Sequence, residues 1–288
     1  MVSDFPRVQG WRYVVAWLLA LCWLGGLTAS TGRAVAASQT PTDTLVTNCA
    51  NDSELRNAVL AGGTTTITFA CGVGTQTIPI NGYMPVSGQV TIDGSDRIIL
   101  DGGDTSPFFQ VSNGASLTLR RLILQRGKFN GVYPLENFGS LALLNSTVRD
   151  HTSTGDKGVL VNYGELTVRD TRITNNVIIN NESVAGAGIL NEGGTVQVEK
   201  STFISNTITS NLGTGGAIAN LGGNLTVLTS TFDFNGAFDG GALYVNTGTV
   251  VTVTGSIFVN NRANYGGAIE SRGQLDVNES TFTQNRAT

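Results

Sequence analysis

Apolar and polar residues alternate along most of the chain beyond residue 60, and the alternating unit recurs every 24 to 30 residues. In one unit Leu225, Val227 and Phe232 point to one side, whereas Thr226 and Thr229 point to the other. This period of two is typical of short β-strands with one buried face. A repeat of this length predicts a solenoid, because a propeller blade needs about 40 residues and four strands. We therefore expect an all-β protein that forms a single parallel β-helix.

Two columns of residues recur with nearly the same steps. In the first, an apolar residue precedes an Asn by three positions, and the column extends back to Val148 with His151 and to Ile123 with Arg126. Its asparagines are Asn176, Asn206, Asn235, Asn261 and Asn285. The second column contains asparagines that lie close to a glycine, namely Asn113, Asn137, Asn162, Asn191, Asn220 and Asn246. Equivalent residues of stacked coils lie about 4.8 Å apart, so we expect both columns to form structural ladders of amide hydrogen bonds.

A short helix is predicted before the first coils. The stretch NCANDSELRNAVLAGG offers Asp52 or Ser53 as the N-cap, and its apolar residues Leu55, Val59 and Leu60 would face the first coil. Such a cap is needed because the open end of a solenoid exposes apolar surface.

The repeats define the expected boundaries along the chain. Residues 37–112 would hold the N-terminal cap and the first coils, and residues 113–288 the repeats of about 25–30 residues. The chain stops at Thr288, three residues after the last ladder asparagine, Asn285. This ending predicts that the repeat array is truncated at its C-terminus.

Residues 1–36 have the layout of a secretory signal peptide. Arg7 and Arg12 precede an apolar run over residues 14–27, and Ala34 and Ala36 are the small residues expected before a cleavage site. A membrane anchor is the alternative, although a spanning helix needs roughly 20 apolar residues. Removal of the segment lowers the basic residues from 17 to 14 and the acidic residues from 21 to 20. The remaining chain has no basic stripe for nucleic acid, and we expect it outside the cell or on the cell surface.

Two cysteines, Cys49 and Cys71, remain after residue 36. An even pair in an exported chain favours one disulfide, which would close a loop of about 22 residues and contribute roughly 3 kcal/mol. Two buried free thiols are the alternative. No other Cys follows, so a zinc site is not expected.

The repeats resemble those of known families. The GGAI and Phe-x-x-Asn repeats are similar to those of the polymorphic outer-membrane proteins of chlamydiae. The segments ELRNAV, ITFACG, VTIDG and LTLRRLIL resemble secreted bacterial right-handed β-helix proteins of the pectin-lyase-like superfamily. The resemblance implies a right-handed helix, an outer-membrane setting and an adhesin-like or structural passenger. The repeats depart from the glycine pair at Gly186-Ala187-Gly188 and at Gly158-Val159.

The same resemblance raises an enzymatic alternative, a polysaccharide lyase or a glycoside hydrolase. Lyases of this kind use carboxylates that hold Ca²⁺ together with a basic residue, whereas hydrolases use paired Asp residues. The best candidate residues form one cluster and its neighbour one coil later: Asp150, His151, Asp156, Arg169, Asp170 and Arg172. An ordinary set of corner charges is the alternative, with His151 in place of a ladder Asn. Catalysis would require the three Asp residues to converge on one outer face with Arg169 or Arg172. No cofactor is expected, and Ca²⁺ only for a lyase.

Aromatic residues and long loops suggest a binding side. Phe138 and Tyr163 occupy equivalent places on adjacent coils with Tyr133 nearby, so they could stack on sugar rings or merely cover a corner. The coils between Ile173 and Phe232 are four or five residues longer than the others, and such loops often bind partners. The favoured function is therefore an adhesin-like or structural surface protein. Its partners would be glycans or molecules on host or neighbouring cells, and it would reach a membrane only through a C-terminal anchor.

Overall fold

Each alternating stretch folds into a short strand that lies parallel to its counterpart one coil away. A computed structural model describes residues 42–128, 132–180 and 183–288. In this part of the chain about ten coils wind around one apolar core. The predicted all-β parallel β-helix is confirmed.

The strands, numbered in chain order, form three faces, named A, B and C, and a peripheral arm, named D. Face A contains β4 (Met84–Val86), β6 (Phe109–Val111), β8 (Leu135–Asn137), β12 (Leu160–Asn162), the first parts of β17 (Ile189–Glu199) and β21 (Ile218–Leu228), β23 (Leu243–Val245) and β27 (Ile269–Ser271). Face B contains β1 (Thr42–Val46), β2 (Thr64–Phe69), the first parts of β5 (Gln89–Asp101) and β7 (Ser116–Gln125), β9 (Ser140–Leu144), β13 (Glu165–Arg169), the second parts of β17 and β21, β24 (Val250–Thr254) and β28 (Gln274–Asn278).

Face C contains β3 (Gln76–Pro79), the second parts of β5 and β7, β10 (Thr147–Arg149), β14 (Arg172–Thr174), β18 (Thr202–Ile204), β22 (Thr231–Asp233), β25 (Ile257–Val259) and β29 (Thr281–Thr283). Arm D contains β11 (Thr152–Ser153), β15 (Val177–Ile178), β16 (Val184–Ala185), β19 (Thr207–Ile208), β20 (Gly213–Thr214), β26 (Arg262–Ala263) and β30 (Arg286–Ala287).

Helix α1 (Ser53–Leu60) lies near the N-terminal end of the stack and packs on β1, β2 and β4. Leu55 and Val59 are buried as predicted, but Leu60 is exposed and Ala58 is buried in its place. The spacing explains the error, because Ala58 is three residues after Leu55 and shares its helix face. Next to the helix, Cys49 and Cys71 are joined by a disulfide with their Cα atoms 5.7 Å apart.

Aromatic rings stack beneath face C. Phe203, Phe232, Phe258 and Phe282 form a continuous pile whose centroids are 4.6 to 4.9 Å apart and whose planes deviate by 7° or less. The first three rings are buried in the core, whereas Phe282 is exposed. This spacing matches the distance between neighbouring strands, so the strand register alone brings the rings into contact.

Side-chain amides connect the coils at two corners. Between faces A and B, Asn137, Asn162, Asn191 and Asn220 are joined by Nδ2–Oδ1 hydrogen bonds of 2.7 to 2.9 Å. The second series, which contains the asparagines of the first predicted column, follows face C. Bonds of 2.8 to 3.0 Å link Asn176, Asn206, Asn235, Asn261 and Asn285. Asn113 and Asn246 were wrongly predicted to belong to the series between faces A and B. The register pairs Val111 with Asn137 and Val245 with Asn220, because both turns that follow are longer.

The second series begins one residue later than predicted. Val148 pairs with Leu124 and not with Ile123, so Gly127 and not Arg126 occupies the first place in the column. Leu124 is buried, whereas Ile123 is partly exposed, which shows that the two neighbours had been assigned to the wrong sides of the strand.

A third ladder was not predicted. Between faces B and C, a backbone N–H of one coil donates to the hydroxyl of the next, at 3.1 to 3.4 Å, through Ser146, Thr171, Ser201, Ser230, Ser256 and Ser280. These hydroxyls satisfy buried backbone groups at a corner where the strand ladder is interrupted.

Candidate functional site

The catalytic candidates are distributed around the solenoid. Asp150 lies at the corner between face C and arm D, where Asn175 Nδ2 donates to its Oδ1 at 3.2 Å. Asp170 lies at the corner between faces B and C, 3.8 Å from Arg169 Nε. Both Asp residues have positive φ, of 58° and 51°, a conformation that Asp and Asn tolerate better than most residues. Corner geometry therefore accounts for both carboxylates.

The distance between these corners rules out a shared site for the two carboxylates. Asn175, which lies one coil above Asp150, is five residues beyond Asp170, with strand β14 between them. The three extended residues of β14 alone span about 10 Å at 3.3 Å per residue. Arg172 is exposed on face C, and Asp156 lies on the opposite side of arm D, where it accepts a hydrogen bond from the Tyr133 hydroxyl. The three Asp residues do not converge.

His151 is buried in the second Asn series and does not reach the surface. The Gly127 N–H donates to His151 Nδ1 at 2.8 Å, and the backbone N–H of His151 donates to Asn176 Oδ1 at 3.2 Å. Burial lowers its pKa to about 4, although the backbone group of Leu124 opposes this effect. His151 therefore serves as a neutral substitute for a ladder Asn.

The structure contains a groove on the outer side of face A. The middle residue of each face A strand points outward, and in four successive coils this residue is apolar: Val161, Leu190, Ala219 and Tyr244. All four are at most 5% exposed despite pointing away from the core. Leu190 and Tyr244 form the floor of the groove, which has a volume of about 410 Å³, and Val161 and Ala219 belong to the same apolar cluster.

Two walls enclose this floor. One wall consists of the residues at the A–B corner, including Glu192, Leu221 and Arg272, and the other consists of arm D, including Leu212 and Phe238. From the coil of Lys157 to that of Arg272 the groove crosses four coil steps, or about 19 Å at the strand spacing. The groove therefore suits an extended ligand that runs along the solenoid axis.

The long loops predicted from the sequence build the arm D wall. Ile178, Val184, Ala187 and Ile208 bury one another in a small core of their own, separate from the main core. Leu212, in the same arm, is 58% exposed at the rim of the groove. Residues 181 and 182 of the same loop lie outside the described residues.

A network of polar groups closes one end of the groove. Lys157 Nζ lies 2.5 Å from Glu192 Oε2 and donates to the Tyr163 hydroxyl at 2.8 Å, and it also lies 5.6 Å from the centroid of the Tyr133 ring. Burial alone would lower the pKa of Lys157, but its bonds to Glu192 and Tyr163 outweigh this and raise it. The lysine is therefore a fixed cation. Tyr163 in turn stacks on Phe138 at 4.8 Å with parallel planes.

The other end of the groove carries a second set of charges. Arg272 Nη2 lies 3.0 Å from Asp239 Oδ2, Arg272 Nε lies 3.9 Å from Glu270 Oε1, and the guanidinium lies 5.5 Å from the Tyr244 ring centroid. Asp239 Oδ1 is buried and has no hydrogen-bond partner within the described residues. This oxygen is an acceptor available to a ligand that enters the groove.

Two further observations limit what the described residues can do. Within residues 42–128, 132–180 and 183–288, no group of three His, Cys, Asp or Glu side chains is placed to hold a metal ion. The helix found in the same ranges is too short to cross a bilayer.

The fold and its repeats match a known family. A family model described as "right handed beta helix region" covers residues 108–287, which is more than half of the chain. The chain belongs to the right-handed β-helix family. The search of curated proteins finds no match.

The groove of this right-handed β-helix could have been partly anticipated. A strand buried on both faces has a continuous apolar run rather than an alternating one. Such runs are present at Leu160-Val161, Ile189-Leu190 and Leu243-Tyr244-Val245. The alternation that revealed the solenoid made these exceptions easy to overlook. The positions of the walls, by contrast, depend on how arm D folds back, and no sequence pattern specifies this.

Proposed function

We propose that this right-handed β-helix is an exported, non-catalytic binding protein of the cell surface, adhesin-like in function, which holds an extended glycan in the groove on face A. The observation that carries the proposal is the groove itself, with its apolar floor, two walls and hydrogen-bonding groups at both ends.

The chemistry of the groove suits a chain of sugar rings. Aromatic and aliphatic faces, including Phe238, Leu212 and Leu221, can pack against the apolar faces of sugars. Lys157 and Arg272 offer donors, and Asp239 Oδ1 is an acceptor without a partner among the described residues. Few precisely placed polar groups in an apolar cleft are typical of ligand sites.

Export is supported by the signal-like residues 1–36, which lie outside the described residues. It is also supported by the disulfide between Cys49 and Cys71, since disulfides persist mainly in oxidising compartments. The resemblance of the repeats to polymorphic outer-membrane proteins favours a surface passenger. The resemblance to the pectin-lyase-like superfamily favours a glycan as partner.

The enzymatic alternative, a lyase or hydrolase, receives little support from the side chains. Asp150 and Asp170 lie at different corners, and His151 is enclosed in the core. The groove contains charged pairs that neutralise each other rather than two carboxylates facing one bond.

The test uses the purified full-length protein and immobilised polygalacturonate, xylan and chitin oligosaccharides, with calcium present. Two readouts are recorded, the amount of protein retained and the reducing or unsaturated ends released. We expect retention on at least one glycan and no release above the buffer blank. Retention on none of them would contradict the proposal. Release that disappears in an Asp170→Ala variant would instead establish the enzymatic alternative.

A further inference from the structure

A second pocket lies at the corner between face C and arm D. It has a volume of about 440 Å³ and is lined by Thr207, Phe234, Gly236, Arg262 and Arg286, with side-chain amides at its edge. It shares no lining residue with the groove on face A. Whatever it binds is therefore independent of the proposed function.

The pocket exists because one side chain is missing from a column. The outward residues at the start of arm D are stacked from coil to coil in the order Thr152, Val177, Thr207, Gly236, Arg262 and Arg286. Gly236 is the only glycine among these six, so the space that a side chain would fill at this point of the column is empty.

The backbone does not require a glycine at this position. The φ of Gly236 lies outside the left-handed region, and a Cβ added there would meet no atom nearer than 3.6 Å. The neighbouring Gly240 has a φ of 63°, and a Cβ on Gly241 would lie 2.2 Å from a carbonyl oxygen. Those two glycines are needed for folding. Gly236 is not, and its effect is to leave a cavity next to Phe234 and Arg262.

Two cations project beside this cavity. Arg262 and Arg286 are directly opposite in the parallel ladder, and both are exposed. Neither forms an ion pair within the part of the chain that the structure describes. Like charges placed opposite each other destabilise a strand pair. Asp233, on the adjoining strand, accepts a bond from Asn260 Nδ2 at 3.0 Å and does not line the pocket.

An exposed aromatic ring completes the pocket. Phe234 is 58% exposed and has a positive φ of 53°, in a column whose neighbours on adjacent coils are the polar residues Ser205 and Asn260. A Phe in this conformation is uncommon, and its exposed ring contributes nothing to the core. Asn260 and Gln284 place side-chain amides beside it.

We propose that this pocket binds a sugar that carries a tetrahedral oxyanion, a sulfate or phosphate ester. One planar guanidinium satisfies both oxygens of a carboxylate through a bidentate pair. Two guanidiniums one strand spacing apart approach from different directions, and the three terminal oxygens of a tetrahedral ester point in different directions, whereas a carboxylate presents both of its oxygens in one plane. The Phe234 ring packs against the apolar face of the sugar, and Asn260 and Gln284 bond its hydroxyls.

The experiment measures the affinity of the full-length protein for four probes by calorimetry at constant ionic strength. The probes are glucosamine 6-sulfate, glucose 6-phosphate, glucosamine and inorganic sulfate. We expect one or both of the ester sugars to bind at least about tenfold more tightly than glucosamine and inorganic sulfate, since charge-assisted bonds and ring packing act together. The comparison of the two esters identifies the source of the oxyanion.

Three variants separate the pocket from general charge effects. Gly236→Thr fills the cavity and extends the existing Thr207 column, and Arg262→Gln removes one cation. We expect each to weaken ester binding about tenfold or more. Arg172→Gln removes the same charge on face C and should leave the affinity unchanged. Thermal unfolding without probe confirms that the variants fold.

Several results would overturn the proposal. Absence of ester-sugar binding would do so, and so would binding that Gly236→Thr leaves intact. Equal losses of ester-sugar affinity in Arg262→Gln and Arg172→Gln would show that net charge alone causes the binding. Inorganic sulfate that binds as tightly as the ester sugars would contradict a role for the ring.

Discussion

The buried His151 makes a quantitative prediction about stability and pH. Its pKa falls from 6.5 to about 4 in the folded protein because the imidazole is enclosed in the core. The folded state therefore favours the neutral ring, whereas the unfolded chain takes up a proton below pH 6.5. The contribution of the neutral His151 to stability is fully present above pH 6.5. It declines as the pH falls from there and is lost below about pH 4.

The magnitude follows from linkage. The fall of the His151 pKa from 6.5 to about 4 corresponds to a maximal loss of about 3 kcal/mol of unfolding free energy. At about pH 5 the loss is roughly 2 kcal/mol. The variant His151→Asn restores the residue used elsewhere in the series, and its amide oxygen can accept the Gly127 N–H bond that His151 Nδ1 accepts now. The introduced asparagine does not titrate.

The assay compares the free energy of unfolding in urea for wild type and His151→Asn at about pH 7.5 and about pH 5, followed by circular dichroism. All other titrating groups are common to both proteins, so the difference between them isolates His151. We expect the wild type to lose about 2 kcal/mol relative to the variant on acidification. Because the chain has one His, its proton NMR titration is an independent check. An equal pH dependence in both proteins, or a histidine that titrates near 6.5, would refute the reasoning.

Three further predictions concern the ladders, the disulfide and export. Asn206→Ala removes amide bonds to Asn176 and Asn235 and should cost about 3 kcal/mol of unfolding free energy, since buried groups lose their partners; a loss below about 1 kcal/mol in urea unfolding would show that the ladder is not stabilising. Replacing Cys49 and Cys71 by Ser should lower the same quantity by about 3 kcal/mol, and identical unfolding midpoints for variant and parent would contradict this. Mass spectrometry of the protein secreted by an expressing bacterium should give a mature N-terminus at Ala37, whereas an intact Met1 on secreted material would disprove cleavage of the signal.

The repeat made the fold predictable because stacking converts a local sequence pattern into a spatial one. A Phe in one coil must lie on the Phe of the next when the strands keep their register, as Phe203, Phe232 and Phe258 do. The Asn series could be predicted for the same reason. Asn246 was assigned wrongly because Asn near Gly indicates a turn but does not say which turn residue is stacked. Where the turn after Val245 lengthens, Asn246 moves out of the column.

The sites were less predictable because they depend on the outside of the solenoid, where the repeat no longer applies. His151 could be read from the sequence as a catalytic group or as a ladder substitute, and only its burial distinguishes the two roles. The groove depends on a minor core formed by Ile178, Val184 and Ile208 within arm D. Ile178 and Ile208 stack in register, but Val184 belongs to an insertion that differs between coils, so no column could reveal its contact with them.

The central claim is that the groove on face A is a binding site, and one pair of variants tests it most directly. Leu212 at the groove rim and Leu45 on β1 are 58% and 57% exposed, so their substitution by Glu makes the same chemical change with little effect on folding. The measurement is the affinity of each full-length variant for the glycan that retains the wild type. We expect Leu45→Glu to bind as the wild type does and Leu212→Glu to bind about tenfold more weakly, as for a residue at the edge of a contact surface. Equal affinities for the two variants would contradict the assignment of the groove as the binding site.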